Sequence, residues 1–582
     1  MKRCPACKRL EPDDALTFCR ADGTPLVVDS GSVGESAGTM KFGSVPVVSE
    51  SETSILPQTI TDGGINRPTA PTTALPAQQK SGTTRAPAKP QQRKAVIAVV
   101  ALFAVALAAA GYFYLSRTSG TAIESVAVLP FENQNRDSDT DYLSDGVTES
   151  IINSLTQLPD PKVIARSSVF RYKGKATDPI AVGKELGVRA VLTGRIMQRG
   201  DTVTVSTELV DVSDNKQLWG EQYNAKVSDL ISLPREIAAK ITSNLRLKIS
   251  GEEHNRLMKQ YTANPEAYQD YLKGRYFWNK RTAEGIKKSI EYFQQAVDLD
   301  PNYALAYSGL ADAYSTLPGY SGTPQIEAGP KAKAAAARAI ELDRNLAEAH
   351  ASVAYTMFAF DNNLPGAEKE FQLAIELNPN YPTAHHRYAL LLGLSGRNDE
   401  ARREILRAQQ LDPLALIINR TVGNVYFWGR QYDLAIEQFK KTLEIDPNFP
   451  PAHEDLAVAY GMKGRYEEAI PEMNKAIALN GRLPHYVAVL GYSYGKSGNK
   501  GEAQKILDEL HLRAKTEDVS PYDLALVYAS LGDKEKTFEM LEEAVRKRVI
   551  GTNAGLRLGP AWDGLRSDPR FAELMRRAEL PQ

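Results

Sequence analysis

Four short motifs in the second half of the chain end alike: Leu299-Asp300-Pro301, Leu377-Asn378-Pro379, Leu411-Asp412-Pro413 and Ile445-Asp446-Pro447. Pro379, Pro413 and Pro447 are 34 residues apart, and a further step of 34 lands on Gly481. Proline and glycine at such points stop a helix, because one lacks the amide donor and the other favours a left-handed end. A fixed 34-residue period around an apolar, helix-forming interior marks paired helices that cannot bury their apolar faces alone. They do so by stacking into a solenoid. This is a binding architecture, so the kind of work is readable before its object.

Aligned on the helix-ending residue, the repeats 348–381, 382–415, 416–449, 450–483, 484–517 and 518–551 carry small residues where two helices must approach and larger apolar ones between them. The repeat at 416–449 shows the pattern most cleanly, with Val422, Gly423, Tyr426, Ala435, Phe439 and Pro447. Two looser repeats precede them at about 265–301 and 302–344, the second with an insertion around Gly319–Pro330. The array resembles the tetratricopeptide repeat (TPR) family over roughly half the chain. The resemblance implies eight helix pairs in a right-handed superhelix, with a groove lined by the first helix of each pair. In family terms the groove-facing positions, or their immediate neighbours, are His386, Asn419, Arg420, Asn424, Glu454, His485 and Tyr486. Singly each reads as a solvated helix face; as a set they mark a polar groove suited to an extended peptide or a partner helix. The tail, residues 552–582, reads as a polar capping helix for the open end.

At 582 residues the chain is too long for one core. With 70 basic against 71 acidic residues, no global field points to nucleic acid, and none is expected as a partner. Residues 123–248 break the repeat pattern. The stretch from Ser125 to Phe131 reads as a buried strand, 141–158 as a helix with Val147, Ile151, Ile152 and Leu155 on one face, and 162–170 as a second strand. A short helix ending at Gly187, strands turning at Arg199-Gly200-Asp201 and Ser213-Asp214-Asn215, and a helix over about Asp229–Leu247 complete a small α/β unit with a mixed sheet. The blocks VAVLPFEN, YLSDGVTESIINSL, VIARSSVFRYKG, ELGVRAVLTGRI and LVDVSDNKQLWGEQY resemble the TolB amino-terminal-like domain, related to the FlgO-type assembly domain. That resemblance implies a sensory or assembly role facing the envelope and supplies no catalytic residue.

The cysteines are confined to the start of the chain. Cys4 and Cys7 form a CxxC, Cys19 follows, and Asp22 stands where a second CxxC would close. The segment, residues 1–27, resembles small zinc ribbons. It reads either as a zinc site made by Cys4, Cys7, Cys19 and Asp22 or as a ribbon that has lost its metal. Residues 28–94 are rich in Ser, Thr, Pro, Gly, Ala and Gln and read as a disordered linker. Ala95–Leu115 carries no charge and is long enough to cross a bilayer as a helix, with Tyr112 and Tyr114 at its far end. Lys80, Arg85, Lys89, Arg93 and Lys94 precede it, and only Arg117 follows closely. Positive-inside bias then puts the N-terminus in the cytoplasm and the C-terminal bulk outside a bacterial inner membrane.

GYSYGKS at Gly491–Ser497 imitates a phosphate loop, but it is one residue short and lies inside a repeat helix, where Gly491 serves packing. The seven histidines have no metal-ligand spacing, and adjacent His385 and His386 point to different helix faces. The fold class expected is therefore multidomain: an α-helical TPR solenoid, a small α/β domain, one transmembrane helix and a short zinc-ribbon-like N-terminus. The function expected is a non-enzymatic, membrane-anchored scaffold that binds protein partners. The alternative is a transmembrane regulator that relays partner binding to the cytoplasmic N-terminus.

Overall fold

The computed structural model describes residues 123–135, 140–321, 323–547 and 552–579, together with three two-residue strands nearer the start. Those strands, β1 (Lys2–Arg3), β2 (Leu10–Glu11) and β3 (Val27–Val28), pair antiparallel in the order β2-β1-β3. They belong to one compact unit, Met1–Leu102. Cys4, Cys7, Cys19 and Asp22, the linker and the apolar stretch 95–115 all lie outside the described residues. Among the described residues, no helix is long and apolar enough to cross a membrane.

The second unit begins its described part with a mixed sheet. Strand β4 (Ser125–Val128) lies between β6 (Lys162–Val163) and β7 (Ala190–Arg199), parallel to both. Val126, Ala127 and Val128 are buried without exception, as expected for a central parallel strand covered on both faces. Strand β5 (Glu132–Asn133) also pairs with β7. Antiparallel β8 (Thr202–Asp211) and β9 (Lys216–Lys226) extend the sheet, and β7 turns into β8 through Gly200 at φ +59°, a left-handed conformation open to glycine. Helix α1 (Asp141–Thr156) buries Val147, Ile151, Ile152 and Leu155 on the face expected.

One strand is shorter than its sequence suggests. The stretch 162–170 pairs only at Lys162–Val163, then turns into α2 (Arg166–Val169) and a 3-10 turn, Phe170–Tyr172. Tertiary contact overrides the β-branched local signal, because the Ala165 amide donates to the Leu411 carbonyl of the repeats. Helix α3 (Pro179–Leu186) ends at Gly187 with φ +64°, and α4 (Leu233–Asn244) and α5 (Gly251–Leu257) lead to the repeats.

Eight antiparallel helix pairs follow among the described residues. They are α6 (Pro265–Asn279) with α7 (Ala283–Leu299), α8 (Ala304–Ser321) with α9 (Gln325–Leu342), and α10 (Ala347–Ala359) with α11 (Leu364–Leu377). Next come α12 (Pro382–Leu394) with α13 (Asn398–Leu411), α14 (Leu416–Trp428) with α15 (Tyr432–Ile445), and α16 (Pro450–Met462) with α17 (Tyr466–Asn480). The last two are α18 (Pro484–Lys496) with α19 (Lys500–Arg513) and α20 (Pro521–Leu531) with α21 (Lys534–Arg546). The insertion near Gly319–Pro330 lengthens both helices of the second pair to 18 residues. Gly423 shows why the small positions are small: a Cβ there would stand 2.3 Å from Phe439 Cε1. Gly491 likewise faces Ile506 at 2.7 Å, a packing position rather than a phosphate cradle.

The recurrent Asp/Asn-Pro motif is a turn device. The amides of Asn302, Asn345, Asn380 and Asn448 donate to the side chains of Asp300, Asp343, Asn378 and Asp446 at 2.9–3.1 Å. The motif at Asp412 departs from this pattern, with Leu414 where the others have Asn. There the Leu414 amide donates to Ser168 Oγ at 2.8 Å, while the Ser167 and Ser168 hydroxyls donate to the Asp412 carboxylate. Burial pushes that carboxyl up to about 6, against the pull of the two serine hydroxyls. One turn before, Asn380 Nδ2 donates to the Leu158 and Pro159 carbonyls at 2.8 and 3.1 Å. One turn after, Arg171 Nη2 donates to the Ile445 carbonyl at 2.5 Å. The segment 158–171 therefore runs along three successive repeat turns.

At its other side the α/β region meets the first pair. Glu149, 5% exposed, accepts from Arg275 Nε at 2.7 Å and Asn279 Nδ2 at 3.1 Å, with Arg166 Nε at 2.9 Å. Burial alone would push its carboxyl up, but the Arg275 and Arg166 guanidiniums hold it below the usual range. Removing the carboxylate takes the main counter-charge from Arg275 and leaves Arg166 only Asp145, at 3.8 Å. Glu149→Ala is expected to cost about 3–5 kcal/mol in urea unfolding, and a cost below about 1 kcal/mol would contradict this docking.

Candidate functional site

The first helices of successive pairs lie side by side, and a line of polar contacts crosses them. The Ser352 hydroxyl and Arg387 Nη1 donate to Asp312 Oδ1 at 3.1 and 2.9 Å, tying α10 and α12 to α8. Thr421 donates its own hydroxyl hydrogen to the Ile417 carbonyl, so at 3.1 Å it accepts from His386 Nε2–H. Burial, with the nearby Arg387, Arg281 and Arg420 charges, lowers the His386 ring to about 3 and so favours its neutral form. Arg420 clamps Asp455 through Nε and Nη2 at 2.6 and 3.1 Å, tying α14 to α16. His485 then bridges α16, α18 and α20, its Nε2 2.9 Å from Glu454 and its Nδ1 2.7 Å from Asp523.

Of the residues expected in the groove, this line contains His386, Arg420, Glu454 and His485, and Asn424 stands beside it as a partner of Asp455. Asn419 and Tyr486 are placed elsewhere. Asn419, 3% exposed, accepts from Gln438 of its own pair's second helix and from Gln409 of the preceding one, and donates to the Pro413 carbonyl, so it is buried between the helices and away from the groove. Its helix position is filled by histidine in three other repeats. His350, His385 and His453 each face a glutamate on the second helix (Glu370, Glu404, Glu472) at 2.6 Å and a carbonyl six residues back (Arg344, Pro379, Pro447). The regular spacing of His350, His385, Asn419 and His453, one per repeat, was a readable signal for this internal latch. Tyr486 is 5% exposed and packs in the core, its hydroxyl 3.3 Å from Asn480 Nδ2. Its neighbour His485 holds the groove-facing place.

The tail is not the single polar capping helix expected over 552–582. It forms α22 (Thr552–Leu558), a 3-10 turn (Pro560–Leu565) and α23 (Pro569–Glu579). Its apolar residues explain the difference: Leu556 and Trp562 are fully buried and cluster with Tyr492, Tyr522 and Leu526 of the first helices α18 and α20. Trp562 Nε1 donates to Tyr522 Oη at 3.1 Å, and Asp563 pairs with Arg430 at 2.5 and 2.9 Å. The tail thus covers the inner face of the last two pairs and reaches the end of α14. Among the described residues, no cluster of three or more His, Cys, Asp or Glu side chains is arranged to hold a metal ion.

His485 is the titrating member of the line. Its side chain is 49% exposed, and the partial desolvation that pushes the ring down is outweighed by hydrogen bonds to Asp523 and Glu454, which carry it well above the ordinary histidine value. The stabilisation is complete below the unfolded value of about 6.5 and is lost as pH rises through the raised folded value. The difference in Tm between wild type and His485→Gln is expected to be constant at acid pH and to shrink as pH rises above about 6.5. A difference that does not vary with pH would show that the ring is not charged between its carboxylates.

Comparison with known proteins divides the chain along the same line. Residues 122–240, the region whose sequence blocks resemble a TolB-like domain, match the family model described as HilA/YgeH-like transcriptional regulator, second domain. Residues 423–464 and 450–482 match tetratricopeptide repeat models. The chain is 32% identical over 187 residues to a putative adenylate cyclase 3 of Rhizobium meliloti, covering 32% of each. It is 22% identical over 315 residues to the transcriptional regulator HilA of Salmonella typhimurium, covering 54% of each. The chain thus spans a third to about half of the length of these relatives. Among solved structures, PilF of Pseudomonas aeruginosa aligns at 20% identity and TM-score 0.31 over 38% of this chain and 97% of its own. YrrB, a TPR protein with an unusual peptide-binding site, aligns at 21% and 0.25 over 32% of this chain and 92% of its own. The chain carries tetratricopeptide repeats, folded as a mostly helical solenoid with a small sheet region.

Proposed function

We propose that this chain is a non-catalytic scaffold that binds protein partners along the first-helix face of its repeats. The observation that carries the reading is the row of first helices itself, tied side by side into one continuous surface. It leaves Ile417 47% exposed beside Arg420 and Asn424. An extended segment laid there would meet the polar line of His386, Arg420 and Asn424 with Ile417 as an apolar contact among them. The apolar stretch 95–115 would anchor the scaffold in a bacterial inner membrane with its N-terminus cytoplasmic. Cys4, Cys7, Cys19 and Asp22 would form a zinc-ribbon-like end, its metal set tested by zinc analysis with and without Asp22→Ala.

A second reading is regulatory: partner binding on the repeats is passed through the α/β region towards the N-terminus. Likeness to a transcriptional regulator and to a putative adenylate cyclase favours it, as does the grip of segment 158–171 on three repeat turns. Affinity capture from solubilised membranes tests the shared core of both. Partners held by the wild-type chain are expected to be lost with Ile417→Asp and kept with Leu479→Asp, a comparably exposed position on a second helix. Equal recovery from both variants would remove the groove from the account.

A further inference from the structure

A cavity of about 80 Å³ lies where the α/β region meets the first three pairs. The end of α1, α4 and Arg256 form one wall, and α6, Tyr303 and Glu348 of α10 form the other. Cavities at such junctions are favoured ligand sites, and the groups around this one are short of protein partners. Among the described residues, Arg256 Nε and Glu348 Oε2 are buried without a hydrogen bond. Tyr261, Tyr271 and Tyr303 also line the cavity, and Tyr268 beside them is satisfied by Ser150 at 2.9 Å. Arg235 donates to the Lys259 carbonyl at 3.1 Å, yet no described carboxylate stands at ion-pair distance from it.

A buried guanidinium nitrogen and a buried carboxylate oxygen each left without a partner carry a desolvation cost that a bound ligand would relieve. Burial lowers the Arg235 guanidinium and raises the Glu348 carboxyl, as for charges waiting on a counter-charge. The two do not pair with each other, and Tyr261 is within electrostatic reach of both. A simple anion would satisfy Arg235 and be repelled by Glu348; a simple amine would do the reverse.

We infer that this junction binds a small zwitterion of amino-acid type. The carboxylate would lie on Arg235 and Arg256, and the ammonium on Glu348 beside Tyr261, Tyr271 and Tyr303. Guanidinium forks match carboxylate geometry, and a buried carboxylate without a partner attracts an ammonium. Because both walls contribute, the bound molecule would hold the α/β region onto the repeats.

Isothermal titration of the purified full chain with glycine, L-alanine, L-serine, L-glutamine, L-glutamate and L-lysine tests this. At least one is expected to bind saturably. Its decarboxylated amine and its deaminated acid should each bind more weakly by about tenfold or more, one charged contact being lost in each. Glu348→Gln and Tyr303→Phe, both nearly isosteric, should weaken binding by a similar factor while the ligand-free chain keeps its Tm. Absence of binding by all six amino acids, an amine that binds as tightly as its parent, or unchanged affinity in Glu348→Gln would each overturn the inference.

Discussion

Glu149 is the contact on which the described unit turns. Its carboxylate is taken out of water between Arg166 of the α/β region and Arg275 of the first repeat helix. A buried charge held this way tolerates little displacement, because the carboxylate and Arg275 would each lose their main counter-charge and carry the desolvation cost. Position 149 therefore fixes α1 on α6, and that placement brings segment 158–171 to the turns at Asn380, Asp412 and Ile445. A solenoid normally holds together only through nearest neighbours. Here a folded region earlier in the chain spans from the first pair to the turn after the fifth, joining repeats that would otherwise communicate only in series.

The repeats were legible because their cause is local. Each pair needs small residues at the closest approach and a helix stop at the end of its period, and both are written in single positions such as Gly423 and Pro447. The docking of the α/β region was not legible in the same way, since no local rule says which of several similar turns will be used. A trace existed nevertheless: Leu414 replaces the asparagine that closes the other turns, and the freed Asp412 takes two serine hydroxyls instead. The strand expected at 162–170 failed for the same reason, its β-favouring residues being bent into α2 by that contact. Asn419 and Tyr486 were assigned to the groove by their position in the repeat. Side-chain direction decides such cases, and Asn419 turns back towards the second helices of its own and the preceding pair while Tyr486 enters the core.

The inner face that results is uneven. From α8 to α20 it is crosslinked by charged and hydroxyl side chains, with His485 the member whose protonation matters to the line. Towards the end of the array Trp562, Leu556 and Asp563 of the tail occupy it. Open surface is left around Ile417, Arg420 and Asn424. Stiff crosslinks and a partly covered groove favour selective recognition over broad adhesion, because an incoming segment must fit between fixed polar groups rather than reshape them.

That the α/β region and the repeats open together, rather than as neighbours, is tested most directly by native-state hydrogen exchange on the full chain carrying Ser168→Ala. The substitution removes the hydroxyl shared by Asp412 and Leu414 and touches nothing in the first repeat. If the two parts are one cooperative body, protection should fall at the turn 411–415 and also in α1 and α6. A loss confined to residues around 168 and 412, with α1 and α6 exchanging as in the wild type, would contradict it.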